Sequence, residues 1–282
     1  MGKKAIALDI GGTNTRCALI DQDYHVLNVV INPTLGGDPE RFLSQVKKTI
    51  RDTVKDFSDV EAIAGGVPGR VAVDGYIEAL PNIGVDHIDL AHSLSEEFSL
   101  PCFIANDAEV AGLAEANVGP YSCYPSLFFV TISTGVGGAL IINGKIRRSS
   151  YEIGHTLFSY RGQVHEFEHL ASGHYLTRMA KQCGVEVKDA KDFFALAKKK
   201  DERILPIYQD WIKLFSQFFA MIQDTFQPDV FTLTGGAMKS ADVFWDDMKA
   251  ACPNCNLQKC HFGQEAGLIG AAVLAFQNAE SK

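Results

Sequence analysis

Apolar positions along the chain fall into a pattern that is used twice. Residues 4 to 31, KAIALDIGGTNTRCALIDQDYHVLNVVI, read as strand, glycine turn, strand, Asp-rich turn, strand, which predicts a three-stranded antiparallel meander. Residues 126 to 150, SLFFVTISTGVGGALIINGKIRRSS, repeat it, with an Asn-Gly turn where the first copy has its Asp-rich one. Asp9-Ile10-Gly11-Gly12-Thr13 and Ser133-Thr134-Gly135-Val136-Gly137-Gly138 occupy equivalent places, about half a chain length apart. Two similar units at that separation predict two related α/β domains. A third strand-plus-glycine unit, PDVFTLTGGAM, stands at 228–238.

Helical spacing separates these units. Apolar residues at 42, 43, 46, 50 and 54 predict a helix over 39–56. Residues 89–99, 108–117 and 202–226 also read as helical. The tail, EAGLIGAAVLAFQNA, reads as a small-residue helix suited to close packing. VEAIAGGVPGRV is a strand running into a Gly/Pro loop, and LPCFIAND is a short buried strand ending in polar residues.

Composition narrows the class. The chain has 282 residues, 46% hydrophobic and 21% charged, with a net charge of −8. That is an ordinary globular balance, and it lacks the basic face a nucleic-acid groove needs. No apolar stretch approaches the ~20 residues of a membrane span, and nothing resembles a targeting segment. Seven scattered cysteines suit reduced thiols in a cytoplasm. Cys252, Cys255, Cys260 and His261 include zinc-ligand types. The plainer reading of that stretch is a Pro-Asn turn followed by a strand, NLQKCHF, in which Cys260 and His261 point apart.

Two readings stay open for each chemical motif. DIGGTNTR, STGVGGA and TGGAM are phosphate cradles, whose glycines let successive N–H groups converge on an anion, or they are plain hairpin turns. As cradles they imply Mg²⁺ near Asp9, because a carboxylate beside phosphates is otherwise repulsive. Asn106-Asp107, at the end of a strand and the start of a helix, is an N-cap or carries a general base. HEFEH at 165–169 matches the zinc-hydrolase signature H-E-x-x-H, though so short a motif also arises by chance.

The motifs taken in order, DIGGTxxR, AND before a helix, STGVGG and EIGH, resemble the ROK family of sugar kinases. The resemblance runs from residue 5 to about 276. It implies the actin/hexokinase/Hsp70 ATPase fold: two ribonuclease H-like α/β domains with an interdomain active-site cleft. We expect a smaller N-terminal domain over 1–107 with the C-terminal helix at about 268–282, and a larger domain over 108–267. The resemblance makes Asp107 the base that takes the proton from a hexose 6-hydroxyl. It gives Asn106, Glu152, His155 and Glu168 to the sugar, with Gly66, Gly69 and Asn82 lining its site. It gives ATP to Gly11, Gly12, Thr13, Thr134 and Gly135, with Gly235 and Gly236 at the adenosine and α-phosphate. Mg²⁺ sits near Asp9, held through water. Domain closure would keep water from competing as acceptor. Glucose is the first choice of sugar; N-acetylmannosamine, N-acetylglucosamine, mannose and fructose kinases share much of the set.

The chain departs from the family at two places: Val85 stands about where members often have a Trp a few residues past the Asn at 82, and the segment after EIGH differs. ROK kinases usually follow EIGH with a Cys-rich stretch that binds structural zinc. Here FSYRGQVHEFEHLASG stands instead, so that zinc site is absent or rebuilt, with His155 and His165 or His169 as candidate ligands. On this reading HEFEH is the helix that presents Glu168. A sugar-sensing repressor of the family would need an N-terminal helix-turn-helix, which is not expected here. A homodimer is a family expectation.

Overall fold

The computed structural model describes residues 2–147 and 152–279. The predicted meander forms: β1 (Lys4–Ile10), β2 (Asn14–Asp21) and β3 (Val26–Pro33) pair antiparallel in chain order. Helix α1 (Pro39–Thr53) follows, capped by Asp38, whose Oδ1 accepts from the Arg41 N–H at 2.7 Å. Its Phe42, Val46 and Ile50 recur at helical spacing and are buried. They lie in one core with Ile6, Leu8 and Ile10 of β1. The chain then returns to the sheet as β4 (Val60–Val67), parallel to β1. Three short strands, β5 (Arg70–Val71), β6 (Ile77–Leu80) and β7 (Val85–Ile88), make a small antiparallel sheet that hydrophobic periodicity does not reveal. Helix α2 (Leu90–Phe98), β8 (Cys102–Asn106), parallel to β4, and α3 (Asp107–Asn117) complete this half.

The second half begins with β9 (Ser126–Ile132), β10 (Val136–Ile142) and β11 (Lys145–Ile146). The predicted third strand continues into residues 148–150, which lie outside the described residues. A hairpin, β12 (Leu157–Tyr160) and β13 (Gln163–Glu166), leads into α4 (Phe167–Ala171), α5 (Gly173–Gln182), α6 (Ala190–Lys198) and α7 (Leu205–Phe226). Then come β14 (Val230–Thr234), α8 (Ala241–Ala251), β15 (Leu257–Lys259) and α9 (Ala266–Ala279). Both five-stranded sheets have the same order, β3-β2-β1-β4-β8 and β11-β10-β9-β14-β15. The repeat read from the glycine turns is therefore a repeat of topology.

The chain divides into two units: Met1–Cys123, Ile141–Ser150 and Gln264–Lys282 form the first, and Tyr124–Leu140 with Tyr151–Gly263 the second. This differs from the expected boundary at 107/108, and the first unit is the larger. The cause is α3, which packs on α9 so closely that a Cβ on Gly270 would stand 1.7 Å from the Val110 carbonyl oxygen. Asn117 at the end of α3 and Gln277 of α9 both donate to the Gly144 carbonyl, at 3.0 and 2.9 Å, which ties the Asn-Gly turn to the same unit. The second unit is built on aromatics. Phe167 and Phe218 stack at 4.1 Å, and Trp211 meets Phe194, Phe215 and Phe244 edge-on.

Candidate active site

In the first unit, the Gly11–Thr13 turn joins β1 to β2. The Gly11 N–H donates to the Asn14 carbonyl at 2.8 Å. Thr34, just beyond β3, braces the turn twice: its hydroxyl donates to the Gly11 carbonyl at 2.7 Å and its N–H to the Thr13 carbonyl at 2.9 Å. Gly12 and Thr13 are exposed. A Cβ on Gly12 would lie 3.1 Å from the Asn82 carbonyl oxygen, so the Pro81-Asn82-Ile83 turn between β6 and β7 packs against the phosphate-type loop.

Asp9 lies opposite Arg16 in the β1–β2 register, and Arg16 Nη1 reaches its Oδ2 at 3.1 Å. Burial pushes the Asp9 carboxyl above its ordinary range, and the Arg16 guanidinium pulls it back. Gly267, in the first turn of α9, lets the carboxylate stand at that helix N-terminus. A Cβ there would be 2.8 Å from Asp9 Cγ. Arg16 was visible in the DIGGTNTR motif but was given no role. Its guanidinium places a fixed positive charge beside the Asp9 carboxylate.

Asn106 and Asp107 occupy the junction of β8 and α3. Asn106 is the N-cap of a complete capping box: its Oδ1 accepts from the Ala108 N–H at 2.9 Å, and Glu109 Oε2 accepts from the Asn106 N–H at 3.3 Å. Its Nδ2 donates to the Gly69 carbonyl at 3.0 Å. Asp107 is the first helical residue, exposed, with Oδ1 2.8 Å from the Ala108 nitrogen. A helix N-terminus favours a carboxylate there. Gly66 is buried beneath this junction, its Cβ position 3.1 Å from Asp107 Cα, so it supports the start of the helix from below.

In the second unit, the Ser133–Gly135 turn leads into β10. Glu168, in α4, reaches this turn: its Oε2 lies 3.4 Å from the Val136 nitrogen, and a Cβ on Gly135 would stand 2.5 Å from it. The helix is held from both ends. Phe167 is buried in the aromatic core, and Trp211 Nε1 donates to the Ala171 carbonyl at 2.8 Å. Glu152 precedes the single-turn helix Ile153–His155, His155 ends it, and both are exposed. Gly154 approaches the Val136 carbonyl so closely that a Cβ would be 2.1 Å from its oxygen. His155 Nε2 lies 3.8 Å from Glu168 Oε1. The third loop carries Gly235, at φ 102°, against the Ile132 carbonyl, and Gly236, which is exposed with open space around it.

HEFEH is not one helix. His165 and Glu166 end strand β13, and only Phe167, Glu168 and His169 are helical. The two histidines therefore lack the shared helical face that the zinc-hydrolase signature needs. Among the described residues, two groups could hold a metal: Asp21, Asp23 and His25, and His155, Glu166 and Glu168. Neither contains His165, His169 or a cysteine. The first is a turn in which Asp21 Oδ1 accepts from the Asp23 and His25 N–H groups. Burial pushes the Cys252 thiol up to about 12 and raises that of Cys255 too. The strand expected over NLQKCHF is only Leu257–Lys259, because its partner β14 ends at Thr234, before the turn at Gly235.

Two sheets of one strand order, each with a glycine turn between its first two strands, define the actin-like ATPase class. A model of the ROK family matches residues 5–278. The chain is 26% identical to a glucokinase of Halalkalibacterium halodurans, over 98% of this chain and 96% of that one. It is 28% identical to an N-acetylmannosamine kinase of Escherichia coli, over 96% and 97%. The solved structure of a ROK hexokinase from Thermus thermophilus matches with a TM-score of 0.83 at 27% identity, over 99% of this chain and all of that one. The chain belongs to the ROK family.

Proposed function

We propose that this ATP-dependent sugar kinase phosphorylates the 6-hydroxyl of a hexose, with glucose the first choice. The observation that carries the reading is Asp107: an exposed carboxylate on the first residue of a helix, fixed by a capping box and seated over Gly66. A base must be held still and remain accessible. Asp107 takes the proton from the 6-hydroxyl as that oxygen bonds to the γ-phosphorus and the bond to ADP breaks. Asn106 spends Oδ1 on Ala108 and one Nδ2 hydrogen on Gly69, which leaves its second amide hydrogen for a sugar hydroxyl. Asn82, Glu152, His155 and Glu168 hold the other hydroxyls.

The residues fit a nucleotide. The turn residues Gly11, Gly12, Thr13, Thr134 and Gly135 offer N–H groups and hydroxyls to phosphates. Gly235 and Gly236 serve the adenosine and α-phosphate. Mg²⁺ fits near Asp9 through water, since one Asp9 oxygen is already paired with Arg16. The ion would neutralise charge on the transferring phosphoryl group.

The glutamates and histidine suit equatorial hydroxyls, which favours glucose. The relationship to N-acetylmannosamine kinases favours a second reading, with that sugar as acceptor. A coupled ADP-release assay with MgATP tests both, across glucose, mannose, fructose, N-acetylglucosamine and N-acetylmannosamine. Turnover is expected with one hexose foremost, and silence across the panel from folded protein overturns the assignment.

Gly135→Ala tests the link between loop and sugar. The added methyl meets the far end of the Glu168 side chain, which can swing aside. Stability is expected to change by under ~0.5 kcal/mol, while KM for the sugar rises because Glu168 is displaced. An unchanged sugar KM would show that Glu168 has no part in holding it.

A further inference from the structure

Glu166 was left without a role by its sequence, and the structure sets it beside His155. We infer that Glu166 is a positioning residue that fixes the imidazole of His155 without a metal. The inference rests on the reading that His155 holds the sugar.

Three observations carry it. First, the hairpin β12–β13 delivers Glu166 to this place. Tyr160 pairs with Gln163 across the two-residue turn Arg161-Gly162, whose φ values of 50° and 79° are those of a type I′ turn. The same register pairs Glu166 with Leu157, two residues after His155. Second, Glu166 stands between two imidazoles. Its Oε1 lies 3.5 Å from His155 Nδ1 and its Oε2 3.7 Å from His169 Nδ1. The other ring nitrogen of His155 faces Glu168 at 3.8 Å. The ring thus stands between two carboxylates, and Glu168 is drawn toward the Val136 N–H. Third, the hairpin is anchored. Tyr160 Oη donates to Asp210 Oδ2 at 2.5 Å, and Arg161 Nη2 donates to the same oxygen at 3.0 Å. Phe158 lies 5.0 Å from Phe167 and 6.5 Å from Phe218, ring to ring.

The His155 side chain is 54% exposed, so burial does not hold the ring. A partner on Nδ1 selects which nitrogen faces the ligand, as outer carboxylates do for functional histidines in general. The ROK resemblance expects a Cys-rich zinc stretch here. The anchored hairpin brings a carboxylate to the imidazole instead.

The test uses the full chain, stripped with chelator and returned to Mg²⁺, with its zinc content measured. Glu166→Ala is expected to raise KM for the sugar about tenfold and to leave KM for MgATP unchanged. Glu166→Gln, which keeps an acceptor, should recover most of the loss. Combining Glu166→Ala with His155→Ala should add nothing to His155→Ala alone. Long-range ¹H–¹⁵N spectra supply a readout independent of activity. Nδ1 of His155 should carry a proton in the parent and lose it to Nε2 in Glu166→Leu. Additive losses, an unchanged His155 spectrum, or one tightly held zinc per chain whose removal disorders the ring would each overturn the inference. If the parent phosphorylates no sugar, the functional reading fails and the spectra alone decide the role of Glu166.

Discussion

Asp107→Asn should fold as the parent does and lose at least ~10²-fold in turnover, the range typical of removing a general base. The substitution keeps size and shape. Asn106 Oδ1 still caps the Ala108 N–H, the Glu109 half of the capping box is untouched, and the amide oxygen replaces the carboxylate oxygen 2.8 Å from the Ala108 nitrogen. Asparagine is also well tolerated at a helix start. What disappears is the capacity to accept a proton. If Asp107 acts only in the transition state, kcat and kcat/KM fall together and the KM values for sugar and MgATP hardly move. Steady-state kinetics beside a urea midpoint separate this from a folding defect. A variant turning over within a few-fold of the parent would make Asp107 merely a capping residue, and the reaction would need another base.

The doubled meander was legible because each copy announces itself locally, through period-two apolar strands, a glycine turn and an Asp- or Asn-bearing turn. The same tight β1–β2 turn makes one tertiary fact readable. Asp9 and Arg16 must face each other once Gly11 closes on Asn14. Helix α1 was legible for a similar reason, since Asp38-Pro39 starts it and Phe42, Val46 and Ile50 mark its buried face. The small sheet β5–β7 was not, because its strands are two to four residues long and carry too few periods to register.

The HEFEH segment shows how a short motif can be assigned to the wrong element. A helical signature dominated the reading, yet the helix begins only at Phe167. The Arg161-Gly162 turn, the signal for a hairpin, was in plain view. Glu168 was singled out by the family resemblance, but its approach to Gly135 depends on α4 docking into the aromatic core, which no local pattern states. Thr34 illustrates the limit. Nothing in an Asn-Pro-Thr stretch indicates that its hydroxyl braces the loop at Gly11.

Gly270→Ala should destabilise the protein by about 3 kcal/mol, the upper end for overpacking a tight contact. On an exposed helix the same change stabilises, because alanine is the better helix former by about 1 kcal/mol. Here the sign reverses. The new Cβ would stand 1.7 Å from the Val110 carbonyl oxygen, 2.6 Å from its carbon and 3.3 Å from the Ala114 nitrogen. All three are backbone atoms of α3, so no side chain can rotate away, and the two helices must separate. The urea midpoint should fall with little change in its slope. Gly236→Ala, with open space around its Cβ position, is the control and should leave the midpoint in place. The damage should also reach catalysis. Helix α3 starts at Asp107, whose Cα rests on Gly66, so a helix pushed off α9 carries the carboxylate with it. In the fraction that folds, kcat should drop as well. A midpoint at or above the parent's would mean that α3 and α9 do not cross at Gly270, and the support proposed for the base would have to come from Gly66 and the capping box alone.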